Sequence, residues 1–193
     1  MYFCEIIGLI MKDTQYYDFQ LEEQRIEKRL RYLFASIGHA TIVKAIEYAP
    51  IHKLDDGRVV YNLGFGDYDS DTDNIADDVN SNNGDIYTVF NTVLNTIPDF
   101  FTHYPNGIIY VAGSDSTDDF AEKCKPTCKK RTKCNEGCVN IDRRINAYRS
   151  YVDKNFDDLT KTYAILGKKK ETGTKFVTYI PEDNYHEILV YKK

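Results

Sequence analysis

Apolar and polar positions alternate over residues 31–37 and 41–51, the period of a half-buried strand, and Gly38-His39-Ala40 between them predicts a short hairpin connection. A third alternating run, 59–65, follows the turn signal Asp55-Asp56-Gly57. The period then changes. Ile86, Val89, Phe90, Val93, Leu94, Ile97 and Phe101 recur at spacings of three and four, which puts them on one stripe of a helix running from Asn83-Gly84-Asp85 to about Tyr104. Pro98 predicts a kink in it, because it lacks an amide hydrogen and crowds the preceding turn. Pro105-Asn106-Gly107 closes the helix and leads into a buried strand at 108–112. A second amphipathic helix turns Ile145, Tyr148, Val152, Phe156 and Leu159 inward, and strands are expected at 162–166, 175–180 and 187–191. Residues 1–30 read as an N-terminal extension, partly helical, since charges of both signs alternate on good helix formers over 20–30.

The fold class is therefore α+β: a mostly antiparallel sheet with two main helices in the order βββαβα, then further strands. Residues 31–193 form a single domain, interrupted by an insert at about 115–140. That strand order is RNase H-like. The nuclease chemistry of that fold needs carboxylates on the first strand to hold divalent metal, and 31–37 contains no Asp or Glu, so the expectation extends to architecture alone.

The insert carries the sharpest chemical signal. Cys124, Cys128, Cys134 and Cys138 form a C-x3-C-x5-C-x3-C pattern, and four thiolates close a tetrahedral zinc shell at about 2.3 Å. A zinc ion so held is structural, because no coordination position stays open. The same spacing fits a helical hairpin with disulfides Cys124–Cys138 and Cys128–Cys134, or free thiols, and these alternatives stay open. Compartment favours metal. The apolar run at 6–11 is short, follows Glu5 and lacks a cleavage site, and no segment nears the roughly 18 apolar residues of a membrane span. A cytoplasmic chain keeps its cysteines reduced. Cys4 reads as a small buried hydrophobe.

Charge changes this picture only locally. The 193 residues carry a formal net charge of −5, which argues against a general polyanion binder. Yet Lys123, Lys125, Lys129, Lys130, Arg131 and Lys133 crowd the cysteines with no acidic residue among them, so nucleic acid is a candidate partner at this loop. No aromatic residue is interleaved to stack on bases. Asp67, Asp69, Asp71, Asp73 and Asp78 are spaced like a calcium loop but lack its glycine and closing glutamate, so a solvated connection is the expectation. His39, His52, His103 and His186 share no ligand spacing.

Tyr61-Asn-Leu-Gly-Phe-Gly-Asp-Tyr-Asp69, Asn82-Asn-Gly-Asp85, His103-Tyr-Pro105, Ala112-Gly-Ser114, Ala147-Tyr-Arg149 and the closing stretch 185–192 resemble a family of short bacterial proteins known only as a domain of unknown function. The resemblance covers 31–193 apart from the cysteine insert, and implies architecture while leaving any reaction open. Relatives read Gly-Ser-Thr and pass within a few residues into an Arg-rich helix. Here Asp115 follows Gly113-Ser114, and about 25 residues intervene before Arg143-Arg144. Gly113, Ser114, Arg143, Arg144 and Arg149 are thus the candidate anion pocket, a strand end meeting a helix start with guanidinium forks beside it. No base can be assigned to activate Ser114.

The leading expectation is a non-catalytic interaction module with a zinc-stabilised loop, acting in bacterial or phage conflict and binding a protein or a small anionic ligand. The rivals are an enzyme of nucleotides or phosphate esters working through the Gly-Ser/Arg pocket, and a phage virion or assembly component.

Overall fold

The computed structural model describes residues 15–22, 28–76, 83–117, 119–126, 128, 134, 138–170 and 174–193. Expectations for Cys4, the run at 6–11, Asp77, Asp78, Asn82, Lys129, Lys130, Arg131 and Lys133 lie outside those residues. The fold is α+β, with nine strands and four helices among the described residues. Contacts cluster into two compact units where the sequence suggests one domain: residues 1–109 with 191–193, and residues 110–190. The chain passes between the units twice, each time within a strand: after Ile109 and after Val190.

The first unit is an antiparallel sheet in the order β1 (Phe19–Glu22), β2 (Leu30–Ile37), β3 (Thr41–Lys53) and β4 (Val59–Asp69), with β5 (Asn74–Ala76) returning on β4. Both edges of β2 are taken, by β1 and β3, so the RNase H-like arrangement, which sets the crossover strand beside the first, is not formed. The expected helix over 20–30 begins instead as β1. Its short, half-exposed edge position gives it no amphipathic signature, and charged side chains suit such an edge.

Helix α1 (Ile86–His103) packs on one face of this sheet, against alternate residues of three strands. Tyr32, Phe34 and Ser36 on β2, Ile46 and Tyr48 on β3, and Tyr61 and Leu63 on β4 are all buried. Phe100, fully buried, is the hub: it stacks on Tyr48 with centroids 4.5 Å apart and meets Tyr61 edge-on at 5.2 Å. The expected stripe is largely right, but Ile86, the first helical residue, is 54 % exposed, Leu94 is only partly buried, and Phe100, which the stripe omits, is fully buried. Each buried phenol finds a partner, as buried hydroxyls must. Tyr32 donates to Asp99 at 2.8 Å, and Tyr48 reaches Thr96 at 2.8 Å while Thr96 donates onward to the Val93 carbonyl.

The hairpin between β2 and β3 is clasped by the segment that opens α1. The Asn83 amide donates to Ser36 Oγ and the Ala40 carbonyl, both at 2.9 Å, and its oxygen accepts from the Ala40 amide at 3.1 Å. A Cβ at Gly38 would stand 2.2 Å from the Asn83 carbonyl, so only glycine permits this approach. Asp85 accepts from Ser36 at 2.6 Å and from Tyr17 at 2.8 Å.

Strand β6 (Ile108–Ala112) leads into the second unit, where β6, β9 (Tyr185–Lys192), β7 (Tyr163–Lys169) and β8 (Val177–Thr178) are neighbours in that order. Helices α2 (Phe120–Cys124), α3 (Arg143–Lys154) and α4 (Phe156–Thr162) precede β7. The single second helix of the sequence reading is thus two, broken at Asn155, whose side chain bonds back to the Tyr151 carbonyl at 2.8 Å. Ile145, Val152 and Leu159 are buried as expected.

Replacing Asn83 by Ala orphans the Ala40 amide and removes the donor to Ser36 Oγ and the Ala40 carbonyl, and is expected to cost about 2–3 kcal/mol in urea unfolding with an unchanged m value. A loss under about 0.5 kcal/mol contradicts the clasp.

Candidate functional site

The second unit joins a strand end to a helix start through one carboxylate. Helix α3 begins at Asp142, held in the left-handed region at φ 57°, and the Asp142 side chain makes no cap. The cap comes from Asp115, distant in sequence and 94 % buried by its 6 % exposure. Its oxygens accept the Arg144 amide at 3.1 and 3.3 Å, and its own carbonyl accepts the Asp142 amide at 3.1 Å. Negative charge at this end complements the helix dipole. Gly113 makes the room. A Cβ there would lie 2.7 Å from an Asp115 carboxylate oxygen, 2.6 Å from Ser116 Oγ and 3.2 Å from the Ile145 amide.

Burial pushes the Asp115 carboxyl above the ordinary carboxylate range. The Arg144 amide bond and the Arg144 charge oppose that rise, and the nearby Asp142 charge adds to it. Of the expected anion pocket, Ser114 and Arg144 do meet, guanidinium to Oγ at 2.6 Å. The others diverge. Arg143 reaches the Asn140 oxygen at 3.4 Å, while Arg149 bonds the Asn184 side chain and the Tyr185 carbonyl. The position an external anion would take on the helix amides is filled by Asp115.

The cysteine insert leaves and returns at this clamp. Helix α2 ends at Cys124, and Cys128, Cys134 and Cys138 lie in irregular chain, so the expected helical hairpin does not form among the described residues. None of the four is in a disulfide, and all are half-buried. The Asn140 amide donates to Cys124 Sγ and Cys128 Sγ, each at 3.4 Å. That bond favours the Cys124 thiolate, but burial and the two neighbouring thiols outweigh it and raise the thiol above its usual value. Among the described residues no group of three or more His, Cys, Asp or Glu forms that could hold a metal ion. Lys123, one of the basic residues of the insert, pairs with Asp119 one turn back.

The acidic stretch is a hairpin, with its carboxylates turned to separate partners. Asp67 pairs with Lys44, Asp69 accepts from the Asp71 amide and Thr72 hydroxyl, and Asp73 accepts from Arg31 and from Tyr68 at 2.9 Å. Arg31, only 4 % exposed, also binds Glu47 at 2.8 Å, which explains why the strand tolerates a buried guanidinium. The histidines stay apart. His39 and His52 lie in and near strand β3's ends, and His103 contacts the Asp99 carbonyl at 3.0 Å. His186 belongs to a cluster the sequence reading missed: Glu187 accepts from Lys168 at 2.7 Å, lies 3.2 Å from His186 Nε2, and also engages Tyr110, whose phenol burial pushes up to about 12. Only adjacency of β6, β9 and β7 brings these together, which single-strand patterns do not reveal.

The chain belongs to a family of unknown function (DUF6934), which matches residues 13–118. No curated protein and no solved structure matches it. The matched segment starts before β1 and ends past the Asp115 clamp, short of all four cysteines of the insert. It therefore includes part of what reads from the sequence as an extension. Its motif residues in the first unit serve the fold: Tyr61 stacks on Tyr104 at 4.7 Å, Asp67 pairs with Lys44, and Asn83 clasps the hairpin.

Because the folded Asp115 binds its proton more tightly than a free carboxyl, the wild type loses stability as pH rises from the ordinary value of 3.8 through the raised one. Asp115→Asn removes that titration. Its stability relative to wild type, read by urea unfolding between pH 4 and 7, is expected to improve as pH increases; a flat difference contradicts the buried carboxylate.

Proposed function

We propose that the chain is a non-catalytic binding module in which Cys124, Cys128, Cys134 and Cys138 hold one structural zinc ion, and that the loop so ordered recognises an acidic surface on a protein partner. The observation that supports this reading is the Asn140 amide, which reaches Cys124 Sγ and Cys128 Sγ at 3.4 Å each and so brings two of the four thiols to one place. No such group stands assembled among the described residues, so the ion itself would draw Cys124, Cys128 and Cys138 to a common centre, with Cys134 as the fourth thiolate of a tetrahedral shell. Asn140 would then act as an outer partner that orients two sulfurs. An insert with so little apolar content gains its order from such a staple and from the Asp115 clamp at its ends. The basic residues from Lys123 to Lys133 balance thiolate charge and give the loop its complementarity to carboxylates.

The enzyme reading rests on Ser114 with Arg144. Ser114 is exposed and accepts from Arg144, but no hydrogen bond joins it to a histidine or carboxylate base among the described residues. Arg149 is engaged elsewhere, and Asp115 repels a phosphate from the helix start.

Protein purified under reducing conditions without chelator is expected to carry about one zinc per chain, and Cys138→Ser far less than one. Asn140→Ala should weaken zinc binding about 10- to 100-fold in a chelator competition. Zinc below about half per chain in the wild type would sink the reading. Neither wild type nor Ser114→Ala should turn over p-nitrophenyl phosphate; turnover lost on Ser114→Ala and Arg144→Ala would favour the enzyme.

A further inference from the structure

We propose that residues 15–22 form an exchangeable strand: the groove that holds them within one chain takes the same segment from a second copy, giving a strand-exchanged dimer that turns at Lys28. The groove runs between the edge of β2 and the flank of α1. From the helix, Asn91 and Thr92 are polar yet buried, and each meets the segment. The Asn91 amide donates to the Gln15 carbonyl at 3.0 Å, and the Tyr17 amide donates to Thr92 Oγ1 at 2.9 Å. The Tyr17 hydroxyl donates to Asp85 at 2.8 Å and accepts from the Ile37 amide at 3.1 Å. Its ring stacks on Phe34 with centroids 5.8 Å apart, and Phe19 meets Tyr32 edge-on at 5.6 Å. This is how a sheet edge takes an extended peptide, with main-chain bonds for affinity and side-chain contacts for selection.

Three features make this occupant exchangeable. Every contact just named joins residues 15–22 to β2, to α1 or to Asp85, so a second copy's segment can make the same set. The attachment is light. Its ladder on β2 is four residues long, Gln20 and Leu21 stay exposed, and Glu22 is one of three carboxylates on Arg31, beside Glu47 and Asp73. The turn into β2 is also strained. Lys28 sits at φ 58°, in the left-handed region where its Cβ crowds the backbone, and the Tyr104 hydroxyl donates to its carbonyl at 2.9 Å.

Opening the turn releases that strain once in each chain. The chain over 23–29, fully extended at about 3.3 Å per residue, reaches roughly 23 Å, enough to cross to a neighbouring copy. Against exchange stands the tether, which holds the segment at an effective concentration of about millimolar beside its own groove. Dimer therefore accumulates with protein concentration. None of these contacts involves the cysteine insert, so the exchange is independent of the zinc reading.

The test uses full-length chains. Chains carrying Gln20→Cys are mixed with chains carrying Leu33→Cys at high concentration, held until exchange equilibrates, oxidised, and mapped by mass spectrometry. Positions 20 and 33 stand opposite each other in the ladder, and neither variant alone can link them. A peptide joining 20 to 33 therefore reports a segment seated on another copy. The expected result is that peptide, with a wild-type dimer that grows with concentration in light scattering. Lys28→Gly, which takes a positive φ freely, should weaken association about 10- to 100-fold, because each dimer relieves two turns. Tyr104→Phe keeps the ring, frees the turn, and should strengthen association. A wild type that stays monomeric at every concentration overturns the inference, as does a dimer without the 20-to-33 peptide. Association that Lys28→Gly leaves unchanged overturns Lys28 as the hinge.

Discussion

The insert is tolerable because one buried carboxylate closes it. Asp115 accepts the Arg144 amide and gives its carbonyl to the Asp142 amide, so β6 and α3 meet as though a short connection joined them. A loop whose ends are fixed close together costs little more in chain entropy when lengthened, growing only with the logarithm of its length. The second unit can therefore host the cysteine insert without giving up the packing of Ile145 beneath it. Gly113 is the steric condition for this arrangement, since any side chain there would occupy the space of the Asp115 carboxylate.

The first unit solves a different problem with aromatic mass. Phe100 gathers Tyr48, Tyr61 and Tyr104 around α1, and the phenols at 32 and 48 reach polar groups on the same helix. Buried tyrosines fix orientation as well as volume, because each hydroxyl admits only a few placements. Within the segment the family matches, Asn83 clasps the β2–β3 hairpin, and Asp99 and Thr96 fasten α1 to the sheet.

Most of the fold was legible because its period is strong. The strand at 108–112, the β2–β3 hairpin and α1 come straight from alternation and a three-four repeat. What failed was weakly periodic or long-range. β1 is a half-exposed edge of four residues, and β5 only three, so neither shows a buried face in sequence. The break at Asn155 needed a side chain folding back on its own backbone. At the candidate site, Ser114 with Arg144 was readable from a strand-end Gly-Ser and an Arg-rich helix. The dispersal of Arg143 and Arg149 was not, because Asn140 and Asn184 carry no signal until folding brings them near. Asp115 was visible as a departure from Gly-Ser-Thr, yet its role as cap to a helix beyond the insert depends on tertiary closure. Likewise, the cysteine spacing suggested proximity but gave no sign that the Asn140 amide would bridge Cys124 and Cys128.

These strands of argument meet in the cysteines. We propose that this basic, apolar-poor insert is ordered by a zinc ion on its four thiols, a reading supported by the Asn140 amide across Cys124 and Cys128. X-ray absorption at the zinc edge of the reduced, full-length protein tests this most directly. The account predicts four sulfur neighbours at about 2.3 Å and no lighter ligand. A shell with nitrogen or oxygen donors, or with two sulfurs only, would contradict it.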